Sequence, residues 1–262
     1  MYIVCSAIVY SLFSEELILW LGKNKALLLY QAASQLTFML LPTIYLVRFS
    51  SDNDSTILSL EQNPSISTYL FSILGWIGIM MISMSLSGVQ NFVLPNWVVE
   101  YLSELSEGYQ ESLEALILQA SIPLWSLVFV IAFLPAIIEE ILFRGYLQFH
   151  LRQRLGKLTT YFLVGIIFSL VHFNPLAILG LFVISLYLSH LTERTGSIIP
   201  AMLVHFINNT YMLVLYREWY IYDDIPSSSE PEILALLILL ITGIAITGFN
   251  IYAIEQNNRN KN

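Results

Sequence analysis

The sequence predicts an all-α fold, a polytopic transmembrane bundle of about eight helices, and three observations carry that prediction. Apolar residues make up 56% of the 262-residue chain and charged residues only 11%, against roughly 25% charged in ordinary soluble domains. Mean hydropathy is +0.70. Apolar runs long enough to cross a bilayer, about 17 to 25 residues each, follow one another with no polar stretch between them long enough to fold separately. The whole of 1–262 therefore reads as a single membrane-embedded helical domain.

Taken in order, the spans fall near 2–21, 26–47, 68–90, 122–149, 158–173, 175–192, 197–216 and 232–254, with the fourth unusually long and the fifth short. The first has no basic segment before it and runs directly into the second, which predicts a transmembrane helix rather than a cleaved signal peptide. The single cysteine, Cys5, excludes an internal disulfide and lacks the Cys/His neighbours of structural zinc. Between the third and fourth spans, Glu100, Glu104, Glu107, Glu111 and Glu114 recur at steps of four and three, lining one face of a helix opposite Val98, Tyr101, Leu102, Leu105 and Tyr109. Such a stripe reads as the solvated face of an external amphipathic helix, or else as an acidic collar for basic peptides.

Basic residues set the expected orientation. One side collects seven, Arg48, Arg152, Arg154, Lys157, Arg194, Arg259 and Lys261; the other has three, Lys23, Lys25 and Arg217. The imbalance predicts both termini in the cytoplasm, with 50–67 and 255–262 cytoplasmic and 223–232 external. A net charge of −8 argues against nucleic acid as a partner, and no basic amphipathic stripe suggests an anionic lipid surface.

Against this apolar background "PAIIEEILFRG" places Glu139, Glu140 and Arg144 inside the fourth span, where each charge costs about 2.5 to 3.5 kcal/mol on insertion scales. Glu140 and Arg144 are four apart and meet on one helix face. Glu139, turned about 100° from Glu140, faces elsewhere. Pro135, lacking an N–H, is expected to kink the helix just before it. "IIFSLVHFNP" puts Phe168 and His172 four apart in the fifth span, and "GSIIPAMLVHFINN" puts His205 and Asn209 four apart in the seventh. If the fourth and fifth spans turn at Gly156, Glu139 and His172 each lie about 25 Å from the turn and are level. By the same rise His205 and Asn209 enter about 12 and 18 Å deep, which matches if the hairpin projects partly beyond the bilayer.

EExxxR (Glu139, Glu140, Arg144), FxxxH (Phe168, His172) and HxxxN (His205, Asn209), in this order, resemble the three signature motifs of the CAAX protease and bacteriocin-processing family of intramembrane proteases, over roughly 120–215. "EEILFRGYLQ" and "GSIIPAMLVH" are similar to it as well. The resemblance implies an endopeptidase whose helical core encloses a water-filled cavity open to the cytosol, acting on a peptide or protein tail. It implies that Glu139 and His172 activate water, that His205 and Asn209 stabilise the oxyanion, and that Glu140 and Arg144 hold the site together.

The chemistry of the residues agrees with those roles, since a carboxylate in a low-dielectric chamber suits a general base and amide or imidazole donors suit a developing oxyanion. Glu139, His172 and His205 are also a His₂Glu set of the kind that holds catalytic zinc. There is no H-E-x-x-H and each candidate ligand sits on a different stretch of the chain, so the reading favours water activation without a tightly held metal, zinc being the alternative. Buried acid and histidine also make proton relays, so a proton-coupled transporter is the competing function, and a non-catalytic immunity or assembly protein of the same fold a third. Short loops and acidic composition point to a bacterial inner membrane.

Overall fold

The computed structural model describes residues 22–50, 54–60, 62–118, 122–221 and 233–259, together with residues 19 and 52. The expected first span at 2–21, Cys5, the loop at 223–232 and the end of the C-terminal tail lie outside them. All regular structure among the described residues is helical. Helix α1 runs from Lys23–Gln35 through a wide π turn, Leu36–Leu40, into Leu41–Arg48; α2 is the short Asp54–Ile57; α3 is Ile66–Val93 and α4 is Asn96–Ile117. Helix α5 is continuous from Leu124–Leu127 to Gln148–Arg152, with π turns at Val128–Phe133 and Ile141–Leu147. Then come α6 (Lys157–Leu170), a 3₁₀ turn (Pro175–Ala177), α7 (Ile178–Thr195), α8 (Ile199–Ile221) and α9 (Ile233–Arg259).

Six stretches are long and apolar enough to cross a membrane: Lys25–Arg48, Ile66–Gln90, Leu124–Arg152, Pro175–Thr195, Ile199–Arg217 and Ile233–Gln256, with Lys157–Leu170 a shorter apolar helix. These seven correspond one for one to the second through eighth predicted spans, and the protein is an integral membrane protein. The exposed large side chains, among them Leu70, Phe129, Phe162, Ile241 and Phe249, are apolar, whereas Glu139, Glu140, Arg144, Gln148, Ser185 and Ser189 are buried. That distribution suits a lipid solvent, in which greasy side chains need no shelter and polar ones do.

Helix α5 is central: 56% of its span is buried within the protein, against 22–39% for the other five. Its α-helical bonding is interrupted by two π turns. The helix does not break at Pro135; Phe133 and Leu134 keep right-handed helical dihedrals, and Pro135 opens the segment Leu134–Glu140 directly after the first π turn. A π turn replaces i→i−4 bonding with i→i−5 and widens the coil, and the helical run continues through the proline. Pro42 follows Leu36–Leu40 in the same way.

The turns on either side of the site are set by identifiable residues. Ser65 Oγ accepts from Thr68 N at the start of α3, a side-chain N-cap. Helix α7 ends at Gly196 in the left-handed region, φ 62°, the conformation glycine adopts without strain. Helix α6 stops at Leu170, three residues short of the predicted 173. Asn174 caps the 3₁₀ turn through a bond from Ala177 N to Oδ1 of 3.3 Å. Helix α4 packs against that 3₁₀ turn and against α1; its Glu100, Glu104, Glu107 and Glu111 are exposed. Helix α9 lies along α3, where a Cβ on Gly78 would stand 2.7 Å from the carbonyl oxygen of Gly243, and one on Gly243 2.7 Å from that of Gly78.

Candidate active site

The site is assembled around Glu139 of α5 from His172, in the turn that follows α6, and His205 of α8. Its Oε2 lies 3.7 Å from His172 Nε2 and 3.9 Å from His205 Nε2. The side chains of Glu139 and His205 are 3% and 4% exposed and that of His172 17%, so the cluster opens on the His172 side. The level reached by counting residues from Gly156 is thus the level the helices have.

Each histidine is fixed through its other ring nitrogen. His172 Nδ1 lies 2.6 Å from the carbonyl oxygen of Phe168; a carbonyl only accepts, so Nδ1 carries the proton, and the Nε2 of a neutral His172 turns its lone pair towards Glu139. His205 Nδ1 lies 2.8 Å from Glu140 Oε1, and that same oxygen accepts from Arg144 NH1 at 2.9 Å. With Glu140 ionised against Arg144, His205 donates from Nδ1 as well. Spaces of 3.7 and 3.9 Å are too long for a direct hydrogen bond and short enough for one small species to bridge.

Glu140 and Arg144 form a pair with both side chains fully buried, and the pair does more than brace one helix. Through His205 it reaches α8. Through Arg144 it reaches α7, with NH2 donating to Ser185 Oγ at 2.8 Å and to the Ser185 carbonyl at 3.2 Å. Phe168 packs beneath all of this: the Arg144 guanidinium sits 4.7 Å from its ring centre, with His172 at 4.6 Å and His205 at 5.8 Å. The aromatic face favours the cation.

One turn at a time, α5 and α7 continue this contact outward. Arg144 meets Ser185, Gln148 Nε2 donates to the Ser189 carbonyl at 3.1 Å, and Arg152 pairs with Glu193 at 3.0 Å. The constant offset of 41 residues is the mark of two parallel helices in register. Arg144 Nε, Gln148 Oε1, Ser189 Oγ and Thr192 Oγ1 along this seam have no hydrogen-bond partner among the described residues, and each such buried atom costs about 1–3 kcal/mol if left dry.

Asn209 lies one turn beyond His205 on α8. It accepts from Asn208 Nδ2 at 3.4 Å, and Asn208 Oδ1 in turn accepts from Trp76 Nε1 of α3 at 3.2 Å. The sequence reading passed over Ser185, Asn208 and Trp76. A usable signal existed for the first: Arg144, Gln148 and Arg152 at steps of four match Ser185, Ser189 and Glu193 at the same steps.

As zinc ligands, Glu139, His172 and His205 have suitable donor atoms, and both histidines have the oriented second nitrogen that such ligands use. Their spacings of 3.7 and 3.9 Å are wider than the about 3.3–3.4 Å between ligands of tetrahedral zinc at 2.0–2.1 Å. In these positions the three do not make a zinc tetrahedron, and no group of three or more His, Cys, Asp or Glu among the described residues has metal-site spacing.

No curated protein and no solved structure matches the chain. Residues 121–211 match the family model described as type II CAAX prenyl endopeptidase Rce1-like, a stretch that begins just before α5, includes α6 and α7 and ends within α8. It carries every motif residue around Glu139. Over these residues the chain is similar to the Rce1-like family of type II CAAX prenyl endopeptidases.

Proposed function

We propose that the protein is an intramembrane endopeptidase that hydrolyses a peptide bond near the cytoplasmic face, with water held by Glu139 and His172. The single observation that carries the reading is the convergence of Glu139 Oε2 and the two histidine Nε2 atoms at 3.7 and 3.9 Å in a buried chamber. Water bridging Glu139 and the Nε2 lone pair of His172 is oriented by both, and Glu139 takes its proton as the oxygen attacks the carbonyl carbon. The resulting oxyanion is met by the Asn209 amide and by His205. A His205 whose Nδ1 already donates to Glu140 offers an Nε2 donor only as imidazolium. Collapse of the intermediate breaks the C–N bond, and Glu139 returns the proton to the leaving amine. No step is routed through a metal.

The substrate is a peptide or protein tail, consistent with the peptidase family. The face that bears Arg152, Arg154, Lys157 and Arg194 is the cytoplasmic one by the excess of basic residues, which puts both termini in the cytoplasm of a bacterial inner-membrane protein. Purified protein in detergent is expected to cleave peptide, Glu139→Ala and His172→Ala to lose about 10²–10⁴-fold in kcat, and Glu140→Ala to lose activity together with stability. Equal turnover by wild type and Glu139→Ala sinks the mechanism. Activity that disappears on stringent chelation and returns with zinc replaces it with the metal version.

A further inference from the structure

Two π turns bracket the short segment Leu134–Glu140 that carries both glutamates. At the end of the first, the Leu134 N–H donates to the carbonyl of Phe129, five residues back. The next bond of that ladder would run from residue 135 to the carbonyl of Val130, but residue 135 is proline and has no N–H to give. A side chain from α1 meets that carbonyl instead: Gln35 Nε2 donates to Val130 O at 3.1 Å. Gln35 is fully buried and Val130 nearly so, which places the bond in the protein interior. Gln35 Oε1 has no hydrogen-bond partner among the described residues, so what the buried amide contributes is its donor.

We propose that Gln35 is a positioning residue for the acid–histidine cluster: its amide replaces the N–H that Pro135 lacks, holds the first π turn of α5, and so sets the rotation at which Glu139 faces His172 and His205. A carbonyl without its donor in a membrane-spanning helix has to be satisfied by a neighbouring element. An i→i−5 ring holds one residue more than an i→i−4 ring, so undoing it would turn the rest of α5 by about 100°, one residue's worth. Glu139, in the segment that follows, would turn with it. A far smaller rotation carries its Oε2 away from nitrogens at 3.7 and 3.9 Å. Further along α1, Met39 is buried in the cluster that contains Ile138, Phe143 and Phe168, so α1 holds α5 both at the π turn and beside the glutamates. Gln35 stands outside the stretch that the family model matches. Its role in turnover rests on the hydrolytic reading; its pairing with the gap left by Pro135 does not.

The test uses full-length protein in lipid nanodiscs, with peptide cleavage and thermal unfolding read on the same samples. Gln35→Met keeps the volume and removes the donor. It is expected to lower kcat at least about fivefold with KM within about twofold, because a misplaced catalytic group costs turnover rather than binding. Pro135→Ala returns an N–H to the gap, and in that background Gln35→Met is expected to lower kcat less than about twofold. Equal losses in the two backgrounds overturn the replacement of the missing N–H. Ser34→Ala removes a neighbouring buried hydroxyl that donates to the Gln31 carbonyl of its own helix at 2.8 Å. It is expected to keep kcat within about twofold, and a loss equal to that of Gln35→Met overturns the specific role of Gln35. A lowered unfolding midpoint with unchanged kcat in Gln35→Met overturns the positioning role. If the wild type cleaves no peptide, the hydrolytic reading fails, and the unfolding midpoints decide the pairing by themselves. A drop for Gln35→Met that shrinks in the Pro135→Ala background supports it; an undiminished drop overturns it.

Discussion

At the scale of single residues, the two adjacent glutamates have separate environments because a helix turns their carboxylates about 100° apart. Glu140 meets Arg144 and His205 on one oxygen, Oε1. Glu139 faces the Nε2 edges of two histidines within ion-pair range. Arg144→Met is expected to leave Glu140 buried without its guanidinium and to lower stability by about 3–5 kcal/mol, as breaking a buried pair does. Thermal unfolding in detergent measures it, and a loss under 1 kcal/mol would remove the clamp from the argument. Ser185→Ala deletes one charge-assisted hydrogen bond to Arg144 and is expected to cost about 1.5–3 kcal/mol. In the Arg144→Met background the same Ser185→Ala change should cost much less, and a double-mutant cycle shows whether the two effects are coupled.

Helices meet here through polar rungs and through glycine. Along α5 and α7 the polar rungs at 144/185, 148/189 and 152/193 hold two parallel helices in register. Where α3 and α9 cross, Gly78 and Gly243 let backbones approach closely, the small-residue packing by which helices associate in lipid. A Cβ on Gly78 would also meet Thr247 Oγ1 at 2.4 Å and Thr247 N at 2.9 Å, so something must move. Gly78→Leu is expected to force α9 away from α3 and to lower stability by at least about 1–3 kcal/mol, while Gly248→Leu, with no heavy atom near its Cβ, should be close to neutral. Equal melting temperatures for the two variants would contradict the packing. Pro135 belongs to this scale too: a π turn directly upstream of it leads into the segment it occupies, and the helical run continues to Arg152.

For the whole molecule, the orientation proposed from the excess of basic residues on one side is testable. In the Cys5→Ser background, Arg154→Cys in the α5–α6 turn is expected to react with a membrane-impermeant maleimide only when the cytoplasmic side is exposed, and a cysteine at Asp224 only from the other side. Reaction of Arg154→Cys in intact cells would invert the topology. The seven described spans were readable in advance because lipid imposes length and hydropathy on every helix that crosses it, regardless of neighbours. The site was readable as a set of residues because ionisable side chains are conspicuous in apolar helices. Ser185, Asn208 and Trp76 were not, since serines, amides and tryptophans are ordinary within such helices and gain meaning only from what they touch.

Composition and spacing were enough for the helical bundle, for the level at which Glu139 and His172 meet, and for the division of Glu139 from Glu140, because rise and twist per residue are properties of any α-helix. Tertiary structure decided which partner each group has. His205 lies against both glutamates, and Arg144 is anchored on α7. Those outcomes depend on how α5, α7 and α8 are rotated against one another, and rotation is set by side-chain packing between helices distant in sequence, which no periodicity within a single helix records.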